Sequence, residues 1–291
     1  METLVVDSGS TDRTLEIVAA RPSVRLHQIP NSEFGHGRTR NLAARLAKGR
    51  LLAFLTQDAI PAHDGWLAEL VAPLDPAGIG AVGSVGKQIP RGNCFPLLKY
   101  EINGVFAKLG PDDRVTVEQR GETAPEGLAL DEMAFYSDVN SATPRQFLLE
   151  VIPYQDLPYS EDFAFGAEVI LAGYKKAYSP GGSVIHSNDL TLSEYRRRFF
   201  EEVVARRRVG NFVPPLTRWK QLLRTGYGVL TDSGKIIADR DYGVFATIGW
   251  LARNPWYHVA KWQSMYAGSH VDLDDEGAIA RGSLESKRRP G

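Results

Sequence analysis

Several polar side chains in this sequence stand where apolar runs end, and their types suggest a chemistry. Asp7 closes "TLVV" and opens "DSGSTD". A carboxylate at a strand's end can accept from the imide N–H of uracil or thymine, or from ribose hydroxyls, with Ser8 beside it. Helix capping is the alternative, and it accounts for Asp12 and Ser10 better than for Asp7. Asp58 follows "LLAFLT" in "TQDA". A hard cation such as Mg²⁺ or Mn²⁺ is held by one or two carboxylates plus substrate phosphates; Asp58 meets that need alone, with Gln57 at best a neutral partner. Taken singly, such an aspartate is more often a turn residue.

Three further stretches carry candidate groups. In "EFGHGRTRN" the glycines let backbone approach a phosphate and Arg38 or Arg40 can neutralise it. Helix entry explains one glycine there, but not two flanking His36. In "YSEDFAF" Glu161 and Asp162 sit at a helix N-terminus, where the dipole favours their anions. That placement supplies an ionised base, and equally explains the acids without one. His186 in "VIHSND" suits a metal ligand, a phosphate contact or a satisfied structural histidine. "GIGAVG" at Gly78–Gly83 formally matches a dinucleotide fingerprint. It lacks the strand before and the helix after that the fingerprint requires, and is rejected.

The elements that must position these residues follow from periodicity. Residues 3–6, "VRLHQIP" and "LLAFLT" read as strands; helices are expected from Thr11 or Asp12 and over 40–48. Strand–helix–strand–helix–strand signals a parallel sheet with crossover helices, whose ligands lie beyond the strands' carboxyl ends. Asp7 and Asp58 both fall there. Helices are expected over 61–75, 96–109 and Glu161 to Ala172, extended chain over "GIGAVGSVGKQIPRG", and a mobile loop over 110–130. "KKAYSPGGSVIHSND" reads as strand–turn–strand. Beyond it a helical appendage covers about 191–209 and 240–266, and the polar residues 271–291 read as disordered.

Composition narrows the class. Of 291 residues, 43% are hydrophobic and 24% charged, with a formal net charge of −1, so no bulk field draws the chain onto nucleic acid. The single cysteine, Cys94, excludes an internal disulfide framework and fits a reducing compartment. No apolar run reaches the ~18 residues of a membrane span, and the N-terminus does not read as a signal peptide. The expected location is cytoplasmic. In the appendage, "LSEYRRRFFEEVVARRR" sets Tyr195, Phe199 and Val203 between arginine triplets, and aromatic and basic residues recur to Tyr266. This suits peripheral contact with an anionic inner leaflet, and suits as well a helix packed on the catalytic domain.

The order of the segments is more specific than any one of them. "VVDSGSTDRT", "GRTRNLAARLAKGRLLAFLTQDAIP", "SEDFAFGAEVILAGYKKAYSP" and "IHS" together resemble the inverting family 2 glycosyltransferases with the GT-A fold. "FGHGRTRNLA", "FLTQDAIP", "GKQIPR", "SDVNSATPR" and "HSNDLTLSEYRRRFFE" are similar to the bacterial rhamnosyltransferases that use dTDP-rhamnose. The resemblance covers roughly residues 3–210. It implies an α/β fold: a mixed, mainly parallel sheet flanked by helices in a GT-A domain over 1–190, then the helical appendage over 191–270 and the tail.

The resemblance also implies roles. Asp7 and Ser8 would contact the nucleotide, with Gly37, Arg40, Asn41 and Gln57 completing the donor site. Asp58 stands where the family's D-x-D motif ends and would hold Mg²⁺ or Mn²⁺, with His186 near it. Asp162 matches the general base, with Glu161 beside it, and Asp138, Asn140 and Ser141 would line the sugar and acceptor pocket. The implied partners are a nucleotide sugar, dTDP-rhamnose, and a saccharide or lipid-linked saccharide acceptor. Family members carry a further strand and helix ahead of "VVD". Their absence here implies a start lying upstream, a shortened copy or a substitute segment, and leaves open a non-catalytic homologue acting as a binding or partner module. A nucleotidyltransferase would need a lysine in the glycine-rich loop, and a dehydrogenase falls with the rejected fingerprint.

Overall fold

A computed structural model describes residues 1–210 and 214–288. Strand β1 (Thr3–Asp7), helix α1 (Thr14–Ala19) and strand β2 (Val24–Gln28) come first, then α2 (His36–Leu46), β3 (Leu51–Leu55), β4 (Ile60–Pro61) and α3 (Trp66–Val71). Next are β5 (Gly83–Ile89), α4 (Pro96–Leu109), β6 (Thr116–Glu118), α5 (Gly127–Met133), β7 (Asn140–Pro144) and α6 (Arg145–Glu150). After α7 (Glu161–Leu171) and β8 (Lys176–Ile185) the chain is helical: α8 (Leu192–Gly210), α9 (Arg218–Ala238), α10 (Val244–His270), α11 (Glu276–Gly282) and α12 (Glu285–Arg288).

The α/β class, the mixed sheet between helices and the C-terminal helices are as expected. The strand pairing is not. Sequence pattern placed β1, β2 and β3 in one parallel sheet, but β1 and β2 pair only with each other, in parallel. The larger sheet runs β3-β7-β5-β8-β4, with β6 also on β8. Only β5 and β8 are parallel there; β7 runs against both β3 and β5, and β4 and β6 run against β8. A mainly parallel sheet is thus corrected to one rich in antiparallel ladders, because β7 inserts between strands that would otherwise be parallel neighbours. Among the described residues the outer edges of β1 and β3 have no partner strand.

The expected turn in "SPGG" does not form. β8 runs on from Lys176 to Ile185 as one strand, because the glycines serve close approach instead of reversal. A Cβ on Gly182 would lie 2.8 Å from Leu70 Cα of α3, and one on Gly86 would lie 1.9 Å from Gly182 O. The predicted loop over 110–130 contains β6 and the start of α5. The expected helix over 61–75 is shorter, with α3 followed by a 3₁₀ turn at Ala72–Leu74.

The core joins the sheet to its helices through Leu52, Val85 and Tyr178 against Phe147, Leu148, Phe165 and Val169. A second cluster docks the helical part: Leu97 and Leu98 of α4 meet Tyr195 and Phe199 of α8, Ile236 of α9 and Tyr257 of α10. The aromatic stripe of α8, read as a possible membrane face, is therefore interior. The tail read as disordered holds α11 and α12; Ile279 packs on Phe200 and Val204, and Arg197 donates to Arg281 O over 2.6 Å. Residues 289–291 lie outside the described residues. No helix among the described residues is long and apolar enough to cross a membrane.

Candidate active site

Two acids open α7 because Ser160, at φ 61°, turns the chain through the left-handed region just before it. Glu161 is buried, whereas Asp162 keeps partial access to solvent. Arg40 reaches them from α2. It pairs with Glu161, and its Nε lies 3.1 Å from Asp138 Oδ2. Asp138 Oδ1 accepts from Ser141 Oγ and, over 2.7 Å, from Tyr154 Oη. Asp162 Oδ2 accepts from the Asp138 N–H over 3.2 Å and its Oδ1 from its own neighbour's N–H at Phe163 over 2.8 Å.

Three carboxylates around one guanidinium perturb each other. Burial opposes the Arg40 charge, but Asp138 and Glu161 outweigh it and hold the guanidinium more basic than usual. Burial pushes Asp138 up, although Arg40 opposes the rise. Burial, reinforced by Glu161 and Asp138, pushes the Asp162 carboxyl up to about 7. The helix dipole does not keep Asp162 fully ionised, as its position alone had suggested. It is instead poised near neutrality, where a general base works best.

A second pair is assembled from β8 and the end of β3. His186 Nε2 lies 3.4 Å from Asp58 Oδ2, and this contact, ahead of other effects, holds Asp58 well below the usual carboxylate range. His186 Nδ1 meets Gln88 Oε1 at 2.9 Å, and Gln88 Nε2 donates to Ser137 Oγ over 3.0 Å. With Nδ1 donating to Gln88 Oε1, Nε2 and the Asp58 carboxylate converge where a cation could sit between them. The chemistry of this pair fits a hard divalent ion that takes its other ligands from phosphate. Among the described residues no group of three such side chains forms a complete metal cage. Arg91 also donates to the Asp58 carbonyl.

These two halves are connected. From Asp58 the contacts run through His186 and Gln88 to Ser137, and the next residue, Asp138, binds Asp162 through its N–H and Arg40 through its carboxylate. Gln88, Arg91 and Tyr154 received no role from sequence. Gln88 sits in an alternating strand segment, and its burial, with 7% of its surface exposed, is visible only once β5 is placed.

Other expected residues have different surroundings. Asp7 is buried and turned onto its own turn, accepting from the Gly9 and Ser10 N–H groups (3.0 and 3.1 Å) and from Ser10 Oγ. Ser8 is partly exposed and Gln57 is exposed. "GHGRTRN" forms the first turns of α2, which begins at His36 and not near residue 40. A Cβ on Gly37 would meet Gln155 O at 2.0 Å, and Asn41 bridges Tyr154 by donating to its O (2.8 Å) and accepting from its N (3.1 Å). Arg40 is engaged by acids where a diphosphate had been expected. Asp138, Asn140 and Ser141 are fully buried beneath the site and do not line an open pocket; Asn140 donates to Gly182 O over 2.5 Å.

Part of the chain is similar to known proteins. Residues 1–113 match the model for glycosyl transferase family 2. Over 200 residues the chain is 30% identical to the O-antigen chain rhamnosyltransferase RfbN of Salmonella typhimurium, covering 68% of this chain and 60% of that protein. It is 29% identical over 202 residues to the O-antigen chain rhamnosyltransferase WbaN of Salmonella anatum, with the same shares covered. The chain thus spans 60% of the length of these relatives. A solved mannosyltransferase of Pyrobaculum calidifontis, in complex with GDP-Man and Mn²⁺, aligns with 99% of this chain and 72% of its own at 16% identity and a TM-score of 0.49. Over residues 1–113 the chain matches glycosyl transferase family 2, and over about 200 residues it is rhamnosyltransferase-like in sequence.

Proposed function

We propose that this protein is an inverting glycosyltransferase of the GT-A type that transfers L-rhamnose from dTDP-rhamnose to a saccharide or lipid-linked saccharide in cell-surface polysaccharide synthesis. It would act in the cytoplasm, at the inner face of the membrane, and would not engage nucleic acid. The observation that carries this reading is the contact path from the Asp58–His186 pair to Asp162. It sets a cation-type half-site beside a carboxyl poised near 7. The names of the two relatives support the sugar and the polymer.

In this reading Asp162 takes the proton of an acceptor hydroxyl. The freed oxygen attacks the anomeric carbon as the bond to the diphosphate breaks on the opposite face, and one displacement inverts that centre. Arg40 pairs with both Glu161 and Asp138 and holds them in place beside Asp162. Asp58 and His186 would hold a divalent ion together with the donor, and that ion would supply positive charge to the leaving diphosphate. Thermal melting with Mn²⁺ and dTDP, beside an Asp58→Asn variant, tests the donor half. A metal-dependent stabilisation lost in the variant supports it. Rhamnosyl transfer that survives Asp162→Asn would sink the assignment of the base.

A second reading, a non-catalytic homologue that serves as a binding or partner module, is favoured by one observation. Asp7, Gly37, Arg40 and Asn41 are all engaged within the protein, and β1–β2 stands apart from the sheet that carries Asp58. Absence of any metal-dependent dTDP binding in the folded chain would select this reading.

A further inference from the structure

Helix α9 is built inside out. Trp219, Leu222, Leu223, Tyr227, Leu230 and Ile237 recur at helical spacing and are 52–76% exposed. Apart from Ile236, which is buried in the second core cluster, the opposite side faces α10 mostly with polar groups. Asp232 Oδ2 meets His258 Nε2 at 3.0 Å, and Asn254 Nδ2 donates to Ser233 Oγ (3.0 Å) and Val229 O (2.9 Å). Gly228 passes so close that a Cβ there would lie 2.4 Å from His258 Nδ1. A helix on a water-soluble domain normally turns its apolar stripe to the core and its polar side to solvent. Reversal of both sides at once calls for an apolar medium outside the domain. α10 begins in the same way, with Val244, Phe245 and Ile248 exposed, and Phe245 reaches 92%.

We propose that α9 is the surface by which this protein lies on an anionic lipid leaflet, its apolar stripe in the interface plane. Charge decides between lipid and a second copy of the chain. Lys220 and Arg224, four residues apart, follow one edge of the stripe, and Lys235 further along it is paired with Asp232 at 2.9 Å. Among the described residues Arg218, Lys220 and Arg224 have no acidic partner; Arg218 lies over Tyr266 and Arg224 over Trp262. Anionic headgroups would neutralise this unpaired charge of one sign, and an identical surface would not. Trp219 and Tyr227 are residue types enriched at the water–lipid boundary. The helix lies on the leaflet and does not span it. This gives the proposed contact with the inner leaflet its residues, and it is read without turnover, so it can fail while the sugar chemistry stands, and the reverse.

The test is co-sedimentation of the full chain with vesicles of phosphatidylcholine alone or mixed with phosphatidylglycerol. Binding is expected to the mixed vesicles and to weaken with salt. Lys220→Gln with Arg224→Gln should lower it roughly tenfold or more. Leu223→Glu with Leu230→Glu should abolish it while leaving the melting temperature unchanged, since both side chains are exposed. Trp219→Phe should remove part of the fluorescence blue shift seen on binding. No binding to mixed vesicles, binding retained by the leucine variants, or a dimer in solution that those variants dissolve without any vesicle binding would each overturn the proposal.

Discussion

The Arg40 guanidinium stands 3.1 Å from the Asp138 carboxylate, with Arg40 only 16% exposed and Asp138 0%. Removing one member of a buried charged set leaves the others uncompensated, at a cost of about 3–5 kcal/mol. Arg40→Met is therefore expected to lower the melting temperature by several degrees, and Arg40→Met with Glu161→Gln to recover part of the loss. Denaturant unfolding of both variants checks this. An unchanged midpoint in Arg40→Met would show that the pair contributes nothing.

A pH dependence follows from Asp162. Its folded value, about 7, exceeds the ordinary 3.8, so between those values the folded chain keeps a proton that the unfolded chain has lost. The stability tied to this group is full below about pH 4 and falls as pH rises toward 7. Activity has the opposite slope, because the base must be ionised. The expected kcat/KM rises through pH 7, and Asp162→Asn should flatten the stability curve in that window and abolish transfer. Chemical denaturation at stepped pH, beside initial rates, reads both slopes.

Gln88 tests the half-site from behind. Gln88→Leu removes the acceptor that orients His186, and loss of such a partner lowers metal affinity by about 10–100-fold. The Mn²⁺ concentration giving half the dTDP-dependent melting shift should rise accordingly, while the melting temperature without metal changes little.

Gly37 separates packing from phosphate binding. A methyl group there meets the Gln155 carbonyl, so Gly37→Ala should destabilise the chain by about 1–3 kcal/mol. If the glycine existed to admit a phosphate, the substitution would weaken dTDP binding and leave the apo melting temperature alone.

What could be read from sequence depended on whether a residue's neighbours are near in the chain. α4 and α7 are local patterns with clear ends, Pro96 at the first and Gly173, at φ 85°, after the second, and both were legible. The proximity of Asp58 to His186 was expected only through resemblance, since 128 positions separate them (186 − 58). Gln88 and Tyr154 act through strands and loops that meet only in the folded chain, so no local signal marked them. The close approach of Gly37 to the Gln155 carbonyl could not be read from "GHGRTRN", because glycine serves close approach to any backbone. α9 (Arg218–Ala238) falls between the two stretches read as helical, 191–209 and 240–266, and its exposed apolar stripe does not tell from sequence which side faces in. The insertion of β7 between β3 and β5 is a matter of topology that periodicity does not carry.

The separation of β1 and β2 from the larger sheet sets an order of opening. A two-stranded unit has little stability of its own. Its ties to α2 and the following turn include Lys48 N–H donating to Glu2 over 2.8 Å and Arg25 donating to Leu46 O over 3.2 Å. Amide hydrogens of Thr3–Asp7 and Val24–Gln28 should exchange with solvent through a local detachment, far sooner than those of β5 and β8, whose release needs global unfolding. The turn at Asp7 and the pair at Asp58 then belong to units with separate clocks, and any ligand that bridges them would slow the faster one.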